Sequence, residues 1–213
     1  METATAETGA QKKTLHINFR FDDWEVRDAR PPMSEEEFIA FCRQNPDLRI
    51  EQDKYGNIRI MPPVSFESGN YESEVLVSLG IWNRRSNLGK TFSPSTLFIL
   101  PSGEKRMPDA AWISLEKVEQ LSPEARKSFA RVVPDFVIEI RSPSDDIREL
   151  KKKMTDSWIA NGVQLAWLLD PETKTAWIYR TDGAVEERQG FDGALSGEGV
   201  LPGFEFDLGL LKK

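Results

Sequence analysis

Apolar positions along the chain switch between two spacings. Some stretches repeat every three to four residues, and others alternate or run together, which separates helices from strands. Ser34-Glu35-Glu36-Glu37 reads as a capping box, and Phe38 and Phe41 follow at helical spacing, which predicts a helix over 35–44. Residues 48–52 and 57–61 predict two strands around the turn Asp53-Lys54-Tyr55-Gly56. Tyr71, Val75, Leu79 and Trp82 form one stripe, so a long helix is predicted over 68–87, stopped by Gly89. Residues 91–100 and 106–113 predict two further strands, with Pro94 demoting the first half of the former to an edge or bulge. A short helix follows over 114–121, and Ser122-Pro123 opens another helical turn.

Residues 134–141 give the clearest strand. Ser144 is then placed to cap a helix running to Ala160, with Ile147, Leu150, Met154 and Trp158 as its stripe, and Asn161-Gly162 ends it. Residues 164–170 are nearly all apolar, as expected at the centre of a sheet covered on both faces. Strands over 174–180 and 204–208 complete the series. The order predicts an α/β fold: a mixed β-sheet flanked by helices, with added strands at both ends.

The chain has 213 residues, 39% hydrophobic and 30% charged, which suits one globular domain over 14–213 behind a disordered polar tail over 1–13. The longest apolar run, Leu165 to Leu169, is far shorter than the ~20 residues that span a bilayer, so no membrane association is expected. The single cysteine, Cys42, excludes an internal disulfide and a multi-cysteine zinc site, and with no leader sequence points to the cytoplasm. The single histidine, His16, excludes paired-histidine metal motifs and leaves a histidine triad one candidate. A metal here needs carboxylate ligands, which favour Mg²⁺, Mn²⁺ or Ca²⁺. Net charge is −7, yet residues 61–153 carry 13 acids and 14 bases. A polyanion therefore fits only at a local groove. Neither a Gly-x-Gly-x-x-Gly turn nor a phosphate loop ending in Gly-Lys-Ser/Thr is present.

Two acids interrupt strands that otherwise read as buried: Asp109 in Met107-Pro108-Asp109-Ala110-Ala111-Trp112-Ile113, and Glu139 in Phe136-Val137-Ile138-Glu139-Ile140. A charge inside a sheet costs on the order of several kcal/mol unless it is paired or metal-bound. If the two strands are neighbours, Asp109 and Glu139 can share one divalent cation. The competing reading pairs Glu139 with Arg141, which alternation puts on the same side, or with a helix lysine. Trp82, Trp158 and Trp167 fall on apolar stripes or a central strand and read as packing.

The text around these acids resembles the Uma family of restriction-endonuclease-like proteins, within the PD-(D/E)XK nucleases. The resemblance rests on Arg106-Met107-Pro108-Asp109-Ala110-Ala111-Trp112-Ile113, Pro134-Asp135-Phe136-Val137-Ile138-Glu139-Ile140, Ser142-Pro143-Ser144-Asp145, the stretch from Asn161 to Pro171, and Leu201-Pro202-Gly203-Phe204, in order over about residues 30–210. It implies a restriction-endonuclease-like core, a divalent metal (Mg²⁺ or Mn²⁺) and hydrolysis of phosphodiester bonds in nucleic acid, with DNA the expected substrate and a homodimer plausible by analogy. It makes Asp109 and Glu139 metal-binding catalytic acids. The general pattern puts a lysine two residues after the glutamate, where this chain has Arg141. An arginine stays protonated and cannot act as a base, so Arg141 is expected on a phosphate.

In the resembled family a lysine of the following helix takes over. Counting from Ser142-Pro143-Ser144-Asp145 gives Lys153; counting back from Asn161-Gly162-Val163 gives Met154, so the segment is one residue longer than the pattern. Lys153 is the expected catalytic lysine and Lys151, on the other flank of the stripe, the reserve. A further metal-binding acid is expected from the first long helix, Glu67 with Glu74 as alternative. Arg84, Arg85 and Lys105 are expected on the nucleic-acid backbone. The rival class is a non-catalytic nucleic-acid or protein interaction module on the same scaffold, favoured by the low pI, about 5.0, and the missing in-line lysine.

Overall fold

A computed structural model describes residues 33–212 and, as backbone, the strand Glu25–Val26. The expected tail over 1–13 and His16 lie outside the described residues. After β1 (Glu25–Val26), α1 (Glu35–Gln44) starts at the predicted capping box. The Ser34 hydroxyl accepts the Glu37 N–H at 3.2 Å, and the Glu37 carboxylate accepts the Ser34 N–H at 2.8 Å. Strands β2 (Arg49–Gln52) and β3 (Ile58–Met61) form the predicted hairpin. The long helix α2 spans Phe66–Ser86 and buries Tyr71, Val75 and Leu79.

Asn87, not Gly89, ends α2, in the left-handed conformation at φ 53°. Gly89 opens β4 (Gly89–Phe92) and is needed for space: a Cβ there would lie 2.3 Å from the Ile113 carbonyl oxygen and 2.4 Å from the Trp112 ring. Strands β5 (Phe98–Ile99), β6 (Lys105–Arg106) and β7 (Ala110–Ser114) follow, then α3 (Leu115–Glu119), β8 (Phe136–Ile140), α4 (Ile147–Lys152), β9 (Leu165–Asp170), β10 (Thr175–Arg180), β11 (Val185–Gln189), β12 (Ala194–Ser196) and β13 (Glu205–Asp207).

Two predicted strands are each divided between two sheets. Residues 91–100 split at Pro94 into β4 and β5, and residues 106–113 split at Pro108 into β6 and β7. Proline lacks the N–H a ladder needs, so each break sits where the chain leaves one sheet for the other. The larger sheet has the order β11-β10-β9-β8-β7-β4, with β8 and β9 parallel and the other pairs antiparallel. The smaller has the order β1-β3-β2-β6-β5.

Strand β9 lies centrally and is buried throughout, as its unbroken apolar run requires. One face of the large sheet packs on α2 and the C-terminal β12–β13 hairpin through Phe136, Trp167 and Phe204. The other packs on the helical segment after β8 through Leu150, Met154 and Trp158. The small sheet has its own core with α1, centred on Phe38, Ile50 and Ile99. The architecture is a mixed sheet flanked by helices with a second, smaller sheet beside it.

The helical segment after β8 departs from expectation at both ends. Its cap is Asp146, whose carboxylate accepts the Arg148 N–H at 2.8 Å; Ser144 stands in the preceding loop. After α4, residues Lys153–Trp158 wind as a π-helix, closed by the 3₁₀ turn Ile159–Asn161. A π turn spans one residue more than an α turn. It takes up the extra residue counted between Ser142 and Asn161 while keeping Met154 and Trp158 buried.

Candidate active site

The corner at Pro108 and the end of β8 open into a cleft of about 500 Å³ between the two sheets. Strands β7 and β8 pair with Ala110 opposite Ile138, and continuing that register sets Asp109 opposite Glu139. Asp109 Oδ2 accepts the Ile140 N–H at 2.7 Å. Glu139 Oε1 accepts the Trp158 indole N–H at 2.7 Å and meets Lys153 Nζ at 2.8 Å. The two expected acids and the expected lysine thus line one cleft.

Lys153 reaches a second carboxylate that sequence reading did not select. Its Nζ lies 3.2 Å from Oε1 of Glu51, on β2 in the other sheet. Glu51 is fully buried and also accepts the Met107 N–H at 2.8 Å and Arg106 Nη1 at 3.2 Å. Arg106 continues to Glu104 Oε1 at 2.7 Å. Alternation along β2 puts Ile50 into the small core and Glu51 on the opposite face, where a charge reads as solvent-facing. That face is covered by Lys153 and Arg106, which are remote in sequence, so no local pattern marks it. Trp158 packs fully buried, as its place on the apolar stripe predicts, and its indole also holds the glutamate.

The electrostatics follow from this burial. Burial, then the facing charge of Glu139, pushes the Asp109 carboxyl well above its usual range. Burial also raises Glu139, and Lys153 only partly opposes it. Burial alone would raise Glu51 too, but Lys153 and then Arg106 more than offset it and bring it down to about 2. Burial works against the Lys153 ammonium, yet Glu139 and Glu51 outweigh it and raise its pKa. Lys153 is therefore held as a cation, with its N–H groups turned to Glu139 and Glu51.

Around Lys153 and Arg106 stand Glu139, Glu51 and Glu104, with Asp109 facing Glu139 and Arg59 acting on Glu51 from further off, so acids outnumber cations four to three. A cluster short of positive charge, with two acids side by side at a cleft, fits a hard divalent cation. Among the described residues no three acid, histidine or cysteine groups converge as a ready metal cage.

The remaining expected residues lie elsewhere. Glu67 lines a separate small cavity beside Arg141, not the cleft. The acid that α2 presents to the cleft is Glu72: it is raised by burial, opposed by Arg49, and it pushes Asp109 up in turn. Glu74 does not line the cleft either. Arg141 does not follow Glu139 into it. Beyond the end of β8 its guanidinium turns to Asp170 at 2.9 Å and Glu172 at 3.4 Å, so the pairing of Glu139 with Arg141 does not form. Arg84 and Arg85 stand in the last turn of α2, away from the cleft. Lys105 is buried; its Nζ donates to Gln52 Oε1 at 2.6 Å and sits over the Phe38 ring. Lys151 packs its Nζ 4.1 Å above the Trp177 ring. The arginines that do line the cleft are Arg49 and Arg59, both on the small sheet.

A family model described as "Uma2: Putative restriction endonuclease" matches residues 35–209. Among solved structures, the chain is similar to a putative nuclease belonging to DUF820 from Anabaena variabilis, with a TM-score of 0.70 and 18% identity over 84% of this chain and 97% of that one. None of the curated proteins matches. At that identity the structural likeness speaks for the fold.

Proposed function

The chain belongs to the Uma2 family of putative restriction endonucleases, and from that premise we propose that it hydrolyses phosphodiester bonds of nucleic acid with Mg²⁺ or Mn²⁺ held by Asp109 and Glu139. The observation that carries this is the cleft network short of positive charge, with its two raised carboxyls facing each other. An ion held by Asp109 and Glu139 would supply Lewis acidity, making water a better nucleophile and offsetting charge on the scissile phosphate. Glu72 takes the supporting role expected of an acid from the first long helix, in place of Glu67.

Lys153 is the catalytic lysine in this reading. Its ammonium, fixed between Glu139 and Glu51, donates to the attacking water or to a phosphate oxygen as charge develops. Trp158 fixes Glu139 from the other side, and Arg106 fixes Glu51. Arg49 and Arg59 stand where flanking phosphates pass, the part first expected of Arg84, Arg85, Lys105 and Arg141. DNA is the expected substrate. The proposed unit is one domain over 14–213, acting in the cytoplasm as a homodimer. The exposed Val77 and Ile81 of α2 offer an apolar strip for that contact.

The test is cleavage of labelled single- and double-stranded DNA and RNA with Mg²⁺, with Mn²⁺ and with chelator, for the wild type and Asp109→Ala. Metal-dependent cleavage lost in the variant is the expected result. Cleavage retained by the variant overturns the assignment. Salt-sensitive binding with no turnover makes the protein the non-catalytic module instead.

A further inference from the structure

A second groove, about 300 Å³, lies beside the cleft beneath the β2–β3 hairpin. Arg59, Ser144 and Lys153 line both spaces, so the groove adjoins the cleft. Tyr55, at the hairpin tip, lines this groove with 70% of its surface exposed. Its turn is pinned. Asp53 Oδ1 accepts the N–H groups of Tyr55 at 2.8 Å and Asn57 at 2.9 Å, and Oδ2 accepts Asn57 Nδ2 at 2.7 Å. Gly56 supplies the positive φ of 88° that closes the turn. Lys54 Nζ lies 5.4 Å from the Tyr55 ring centroid, and Lys152 lines the groove from the helix opposite, exposed.

We propose that this groove is a nucleotide subsite for single-stranded nucleic acid, in which Tyr55 stacks on a base while Lys54 and Lys152 meet the phosphates beside it. The inference rests on the nucleic-acid reading of the adjoining cleft. A chain of net charge −7 cannot hold a strand by bulk attraction, and the cations expected at Arg84, Arg85 and Lys105 are not at the cleft. The groove carries carboxylates too, but three are engaged: Asp53 by its own turn, Glu104 by Arg106 and Ser157, Asp146 by Arg148. Glu149 and Asp156 remain and temper the two lysines. Base faces, which are sequence-tolerant stacking surfaces, then supply affinity beside that of the two lysines. Paired strands hide those faces; a single strand offers them.

The experiment is fluorescence anisotropy of the full chain with a labelled oligonucleotide of about 10 nucleotides, single-stranded and as a duplex, in chelator so that cleavage plays no part. Single strand is expected to bind more tightly than duplex. Tyr55→Ala should weaken it about tenfold, while Tyr55→Phe, which keeps the ring, retains it. Lys152→Ala should lower the slope of log affinity against log salt by about 0.7. Circular dichroism of the variants separates lost binding from lost folding. Unchanged single-strand affinity in a folded Tyr55→Ala overturns the subsite and leaves the nuclease reading standing. No binding of any nucleic acid by the wild type at low salt, either in chelator or with Ca²⁺ supplied in place of Mg²⁺, overturns both.

Discussion

Replacing Asp109 with Asn is expected to make the cation-free protein more stable. The amide keeps an oxygen for the Ile140 N–H, which lies 2.7 Å from Asp109 Oδ2. What it removes is a recessed negative charge facing Glu139 and, further off, Glu72. Relieving a charge that function keeps in place typically returns about 1 kcal/mol, or about 2–4 °C in Tm for a chain of this size. The pH dependence gives the cause a signature. Burial and Glu139 hold the folded Asp109 pKa well above its ordinary value, so the folded wild type keeps a proton that the unfolded chain releases near pH 3.9. Wild-type stability therefore falls as pH rises from about 4 toward the folded pKa, and the advantage of the variant grows over that interval. The assay is urea unfolding of both proteins in chelator at about pH 4 and about pH 8. Added Mn²⁺ should reverse the order, since it stabilises only the protein that binds it. A variant less stable than wild type in chelator at the higher pH, or an advantage that does not change with pH, would refute the argument and make Asp109 a structural acceptor.

Lys153→Met should destabilise by about 3 kcal/mol in urea unfolding, because Glu139 and Glu51 lose a shared partner while buried; Arg106 and the Trp158 indole limit the loss. Gly89→Ala should cost about 2–3 kcal/mol and lower Tm, since its Cβ would meet the Ile113 carbonyl oxygen at 2.3 Å, and rigid backbone cannot yield as a flexible side chain would. Burial pushes the Cys42 thiol up to about 11, so at about pH 8 only about a thousandth is thiolate. Alkylation by iodoacetamide, followed by mass, should be far slower for native protein than for protein in urea.

Local chemistry made most elements legible. The Ser34–Glu37 box, the Tyr71–Val75–Leu79 stripe and the apolar run of β9 each specify their element through short-range pattern, and each stands where expected. Division of strands between sheets was not legible, because Pro94 and Pro108 signal a break without saying which sheet comes next. Within the candidate site, Asp109 and Glu139 stand out because a charge interrupts an apolar strand. Glu51 and Glu72 do not, since each sits where a surface charge is ordinary and is enclosed only by residues remote in sequence. Arg141 shows the limit of strand alternation: the rule holds to the end of β8, and one residue later the side chain belongs to Asp170 and Glu172. The π turn at Lys153–Trp158 reconciles two ways of counting to the lysine that a regular helix could not.

The most direct measurement is isothermal titration of the full chain with Mn²⁺, beside Asp109→Ala and Glu139→Ala. One ion per chain in the wild type, with binding lost in both folded variants, is the predicted result. Binding that persists unchanged in either variant would contradict a cation held between Asp109 and Glu139.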